Sequence, residues 1–186
     1  GILGGLPALR KVHPEFRGPL AVVVILLLLA QAAVGLTPLI FYDTQVYHFV
    51  APQHFLEAGR LVEVPWNVLT DSPMALQLTI GMSLALDSQG GAGKLLLTIL
   101  GLLPPLAASE LFSKRNAGLL AAIFVLCFPE FWAQQAFGVV DLAIAGFLVA
   151  GAIWTLRAFR QRHWRWVILA GASLGLVIGS RYQEIG

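Results

Sequence analysis

Five stretches of this chain are apolar for long enough to cross a lipid bilayer, and that restricts its fold more than any other feature. They run at about 20–40, 91–112, 117–137, 141–158 and 165–181. A spanning helix needs roughly 20 apolar residues, because the hydrocarbon core is ~30 Å thick and a helix rises 1.5 Å per residue. The expected fold is an all-α polytopic membrane protein with about five transmembrane helices, residues 1–186 forming a single transmembrane domain. Composition agrees: 58% of the residues are hydrophobic and 12% are charged, about half the charged share of an ordinary soluble domain. The first run, Leu20 to Ile40, is longer than a signal-peptide core and no small-residue cleavage site follows it, so it reads as a retained span. The lone Cys127 excludes a disulfide within the chain and reads as a small buried apolar residue. The chain starts without Met and stops just after a span, the pattern expected of an N-terminal piece of something longer.

Charge placement sets the sidedness. A sixth apolar segment, 73–86, has 14 residues and covers about 21 Å as a helix, short of a full crossing. If it does not cross, Arg10, Lys11, Arg17, Lys114, Arg115, Arg157, Arg160, Arg162 and Arg165 share one side, nine of the twelve Lys and Arg. That is a positive-inside pattern. If it crossed, the cluster at 157–165 would face outward. Segment 73–86 is therefore expected to be interfacial or re-entrant. Asp43, Asp141 and Arg181 then all lie on the outer side, each at the end of a span. Pro104–Pro105 is expected to kink the second span. Gly171, Gly175 and Gly179, four apart, are expected to give a groove for close helix packing.

Residues 41–90 form the long outer first loop, expected to carry short interfacial helices. "VYHFVAPQHFLEAGRLVEV" reads as an amphipathic helix, with Pro52 in its first turn and Gly59 at its C-terminal cap. Phe49, Val50, Phe55 and Leu56 would lie on the membrane or against the spans. Asp71 or Ser72 would cap a helix beginning at Pro73. Two membrane-hugging helices suit a protein that works on something at the outer leaflet. No basic cluster with interleaved aromatics points to nucleic acid. Neither a nucleophile motif nor a phosphate-cradling glycine loop is present, and "GGAG" at 90–93 is a loop before a span. His48 and His54 are six apart, which does not put them on one helical face.

The segment "YDTQVYHFVAPQHFLEAGRLVEVPWNVLTDSPMALQL" resembles the first outer loop of GT-C fold glycosyltransferases. The branch it is most similar to is that of dolichyl-phosphate-mannose protein mannosyltransferases and aminoarabinose transferases. The matching positions are Asp43, Tyr47–His48, Gly59–Arg60, Pro65 with Asn67, and Ser72–Pro73. A second block, from Phe137 to Gln183, also looks like this family, with Asp141 opening a span, a basic turn, a Leu-Ala-Gly-x-x-x-Gly helix and Arg181–Tyr182 at its end. Thr44 departs from the pattern, since many members carry a second acidic residue there. The resemblance implies the N-terminal part of a larger GT-C module.

It also implies a reaction. A sugar passes from a polyprenyl-phosphate carrier to an acceptor hydroxyl at the extracytoplasmic face. A carboxylate suits removal of the acceptor proton, and a cation suits the departing phosphate. By matching position, Asp43 is the expected general base. Tyr47, His48, Asp141, Arg181 and Tyr182 are the expected substrate-binding residues. Arg181 would meet the carrier phosphate, to which a guanidinium is well shaped; snorkelling to the interface explains it equally well. Asp141 would orient the acceptor or, with Asp43, hold a divalent cation; stabilising the start of a helix is the simpler role. The expected partners are a polyprenyl-phosphate sugar donor, an acceptor and membrane lipid. The expected location is a bacterial or archaeal cell membrane, with the N-terminus cytoplasmic. A flippase of lipid-linked sugars is the alternative; it calls for ionisable groups or broken helices near the midplane, whereas the charges here gather at span ends.

Overall fold

The structure, a computed structural model, describes residues 18–38, 42, 45, 48–65, 74–112 and 114–180. Its described residues form α-helices joined by turns, with no strand among them. In chain order these are α1 (Pro19–Gly35), α2 (Val50–Ala58), α3 (Ala75–Leu84), α4 (Gly91–Leu100), α5 (Leu103–Glu110), α6 (Arg115–Leu126), α7 (Pro129–Phe137), α8 (Asp141–Gln161) and α9 (Trp164–Ile178). The protein is an all-α polytopic membrane protein.

Length and polarity decide what each helix does. The α4–α5 segment, Gly91–Glu110, has 20 residues and α8 has 21, and both are apolar enough to cross a bilayer. Helices α6 and α7 pass the same test only as a pair, bent by 62°. Helices α1 and α9 are apolar but shorter, at 17 and 15 residues. The span expected at 117–137 is therefore a broken one. Pro129 starts α7 and forces Phe128 into an extended conformation (φ −73°, ψ 123°), as a residue before proline prefers. Cys127 sits at this break and is exposed, not buried as its apolar surroundings imply, because the chain leaves the packed helix there. In the second span the helix is interrupted at Gly101–Leu102. Pro104 and Pro105 have no N–H to return to the carbonyls of Leu100 and Gly101.

Two apolar clusters hold the bundle. One joins Ala21 and Val24 of α1 to Leu119, Ala122 and Leu126 of α6 and Phe131 of α7. The other joins Leu76, Ile80 and Leu84 of α3 to Leu97, Val140, Ala143, Ile144 and Val177. Small residues let α5 lie between α6 and α8. A Cβ on Gly118 would come 2.5 Å from the Ser109 carbonyl oxygen, and one on Gly146 would come 2.5 Å from Leu103. Of the expected glycine repeat on α9, only Gly179 meets a neighbouring side chain, Ala75; Gly171 and Gly175 face open space. Helix α1 exposes Leu26 and Leu29 by about 60%, as expected for a helix apolar all round and facing lipid.

The helices alternate in direction, which sorts the turns into two ends. Arg157 pairs with Glu110, and Gly18 lies beside Arg115. The start of α1, the α5–α6 turn and the α8–α9 turn therefore share one end, rich in Lys and Arg. The starts of α4 and α8 and the C-termini of α7 and α9 share the other. At the basic end, Arg162 closes α8 in the left-handed region (φ 48°), a conformation that disfavours a side chain by roughly 1–2 kcal/mol. Arg162→Gly is expected to stabilise the hairpin by about 1 kcal/mol, seen as a raised unfolding temperature in detergent; an unchanged or lower temperature would contradict this.

Candidate functional site

The site is organised by α3, a helix of ten residues. At about 15 Å it is half as long as the ~30 Å hydrocarbon core is thick. Rather than lying open on a surface, it buries Leu76, Ile80 and Leu84 in the core. Its N-terminus docks on the end of α9. The Ala75 amide donates to the Gly179 carbonyl (2.8 Å) and the Leu76 amide to Ser180 Oγ (3.3 Å). Ser180 Oγ in turn donates to the Leu176 carbonyl (2.6 Å). The first amides of a helix have no partner of their own, and here the C-terminal end of another helix supplies it. The two helix dipoles also meet head to tail, which favours the contact. Met74 caps α3 without a side-chain bond; Asp71, Ser72 and Pro73, the expected cap and start, lie outside the described residues.

Two further elements meet α3. The imidazole of His48 is fully buried, with Nδ1 3.4 Å from Gln77 Nε2 of α3. Phe49, next to it, packs on the cluster shared by Leu76, Val140 and Val177. Helix α2 then carries Phe55 against Ala51 and Met74 and leaves Leu56 exposed. It closes at Gly59 (φ 64°), the cap read from the sequence. His54 lies 3.8 Å from Glu57 on the exposed side of α2. The other element is the α7–α8 turn. Gly138 ends α7 in the left-handed region (φ 68°), Val140 is fully buried, and Asp141 follows in the first turn of α8. A carboxylate there is favoured by the helix N-terminus.

Of the expected site residues, the structure thus describes His48 and Asp141. Asp43, Tyr47, Arg181 and Tyr182 lie outside the described residues. Ser180, which immediately precedes Arg181, is fixed on α3. No group of three His, Cys, Asp or Glu residues able to hold a metal ion occurs among the described residues.

A buried polar seam escaped the sequence reading. Lys94, 4% exposed on α4, donates from Nζ to the Ala136 carbonyl (2.7 Å) near the end of α7. Thr98 Oγ1 donates to the Lys94 carbonyl (2.8 Å), and Gln135 Nε2 to the Thr98 carbonyl (3.1 Å). A cation at the C-terminus of α7 complements its dipole and ties α4 to the turn that presents Asp141. The signal was a single Lys inside "GAGKLLLTIL", since a charge in an apolar span needs a partner. Lys94→Met keeps the length and removes the donor. It is expected to cost about 1–3 kcal/mol, read from the unfolding temperature in detergent; an unchanged temperature would mean the bond contributes nothing.

A short buried helix that joins two span ends, packed against a loop helix, defines a helical membrane protein whose span ends are tied together at one end of its bundle. The chain belongs to the dolichyl-phosphate-mannose-protein mannosyltransferase family, whose family model matches residues 71–185. It is accordingly a membrane glycosyltransferase, and the resemblance read from its motifs holds. The match takes in α3 to α9 with Asp141, Arg181 and Tyr182, and begins after Asp43, Tyr47 and His48. Neither a curated protein nor a solved structure matches the chain.

Proposed function

We propose that the protein transfers a sugar from a polyprenyl-phosphate carrier to an acceptor hydroxyl at the end of the bundle opposite the basic turns. That end faces the extracytoplasmic side, because basic turns stay with the cytoplasm. The observation that carries this reading is the docking of α3 on α9. It brings the residue before Arg181 and the turn bearing Asp141 against one short helix, with His48 packed against that helix too. Asp43, five residues before His48 in the sequence, is the general base of this proposal.

In the transfer, the bond from the anomeric carbon to the carrier phosphate breaks as the bond to the acceptor oxygen forms. The phosphate leaves with the electron pair, and Arg181 stabilises its charge. The carboxylate of Asp43 takes the acceptor proton. Asp141 orients the acceptor or, with Asp43, a divalent cation. Tyr47 and Tyr182 hold the sugar, while His48, whose imidazole is fully buried beside Gln77, anchors the first loop on α3. A cleft of about 220 Å³ at this end supports a sugar ligand. Gln45, Gln53, Ser88 and Gln89 line it with uncharged hydrogen-bonding groups, and Phe49 adds an aromatic face.

Proteoliposomes given a radiolabelled polyprenyl-phosphate sugar and a membrane extract as acceptor source test the proposal. Label is expected in an acceptor product. Label that only changes leaflet, with no product formed, would replace transfer by flipping.

A further inference from the structure

A second cavity lies at the other end of the molecule. It is a groove of about 440 Å³ between α5 and α8, floored by Leu103, Ala107, Phe147, Ala150 and Trp154. The Arg157–Glu110 pair stands at its mouth. The ten residue steps from Phe147 to Arg157 rise about 15 Å along α8, half of the ~30 Å hydrocarbon core. The groove is therefore as deep as one leaflet. It opens where the charge is concentrated: Lys114, Arg115, Arg157, Arg160, Arg162 and Arg165 occupy the adjoining turns, with Glu110 the acid among them. Trp166 lies beside two of these cations, the guanidinium carbons of Arg157 and Arg165 lying 5.3 and 5.0 Å from its ring centre. The stack holds both side chains at the level where an indole ring settles, the membrane interface.

We infer that this groove binds an anionic phospholipid of the leaflet at the basic end. One acyl chain lies along α5 and α8, and the headgroup phosphate meets the arginine cluster. Apolar depth and cationic mouth are the two halves of such a molecule, and a basic pocket between membrane helices is the arrangement that takes anionic headgroups. The excess of cations over Glu110 sets the preference for an anionic over a zwitterionic headgroup. This site is separate from the α3 region and does not depend on the transfer reaction.

The test uses the full chain, reconstituted in phosphatidylcholine vesicles with phosphatidylglycerol as the minor component and then extracted in detergent. Native mass spectrometry reads the lipid retained. Phosphatidylglycerol is expected to be retained in preference to phosphatidylcholine. Arg165→Gln is expected to lower its retention about fivefold, and Ala150→Trp, which fills the groove, to abolish it. Because Ala150→Trp risks misfolding, a second reading uses phosphatidylglycerol brominated on its acyl chain. Quenching of tryptophan fluorescence is expected in the wild type and is expected to fall in Trp154→Phe. Equal retention of the two lipids overturns the proposal. So does headgroup-dependent retention without quenching at Trp154, which would leave only surface attraction and no occupied groove.

Discussion

Asp43→Asn is expected to slow sugar transfer by about 100- to 10,000-fold, the usual contribution of a positioned general base, while donor binding stays within a few-fold of the wild type. Asparagine keeps the shape and polarity of the side chain and loses only its capacity to accept a proton at neutral pH. The effect should therefore fall on turnover and spare the donor. Initial rates in proteoliposomes, set beside equilibrium binding of the polyprenyl-phosphate sugar, separate the two. Equal losses in rate and binding would make Asp43 a donor-binding residue. An unchanged rate would remove it from the chemistry and leave the base to another group.

The largest structural effect is expected at Gly118. A side chain there meets the carbonyl oxygen of Ser109, a backbone atom that has no rotamer to escape into. Gly118→Leu must part α5 from α6 and is expected to cost about 3 kcal/mol. Gly171→Leu provides the contrast. It is also a membrane-helix glycine, but it faces open space, and its stability is expected to change by no more than about 0.5 kcal/mol. Denaturation of both variants in detergent decides the matter. Equal effects at the two positions would contradict the packing of α5 between α6 and α8.

Much of this architecture was legible because membrane helices announce themselves by length and because few charges interrupt them. The positions of the basic residues gave the expectation that 73–86 does not cross, and the helix found there, α3, has ten residues. Gly59 marked the end of α2 because a left-handed cap favours glycine. What the apolar runs concealed were features with no polarity signal. The 62° bend at Cys127–Phe128 comes from Pro129 inside a run whose hydropathy is otherwise uniform. The same bend is why Cys127 is exposed. The glycine repeat of α9 looked like a packing groove, yet spacing alone does not reveal which face meets a neighbour, and only Gly179 does. In the candidate site, His48 and Asp141 stood out by residue type. The partner of His48, Gln77, did not, because a hydrogen bond across 29 residues leaves no local trace. Lys94 carried the clearest unused signal, a lone cation in an apolar helix.

The central claim is that Asp43 and Asp141 share the end of the bundle that faces away from the basic turns. Cysteine labelling with a membrane-impermeant thiol reagent in sealed vesicles tests it, using Asp43→Cys, Asp141→Cys and Lys114→Cys, each in a Cys127→Ala background so that a single thiol is present. Positions 43 and 141 are predicted to label from the same side, opposite to position 114. Labelling of 43 and 141 from opposite sides would contradict the shared site and the transfer mechanism built on it.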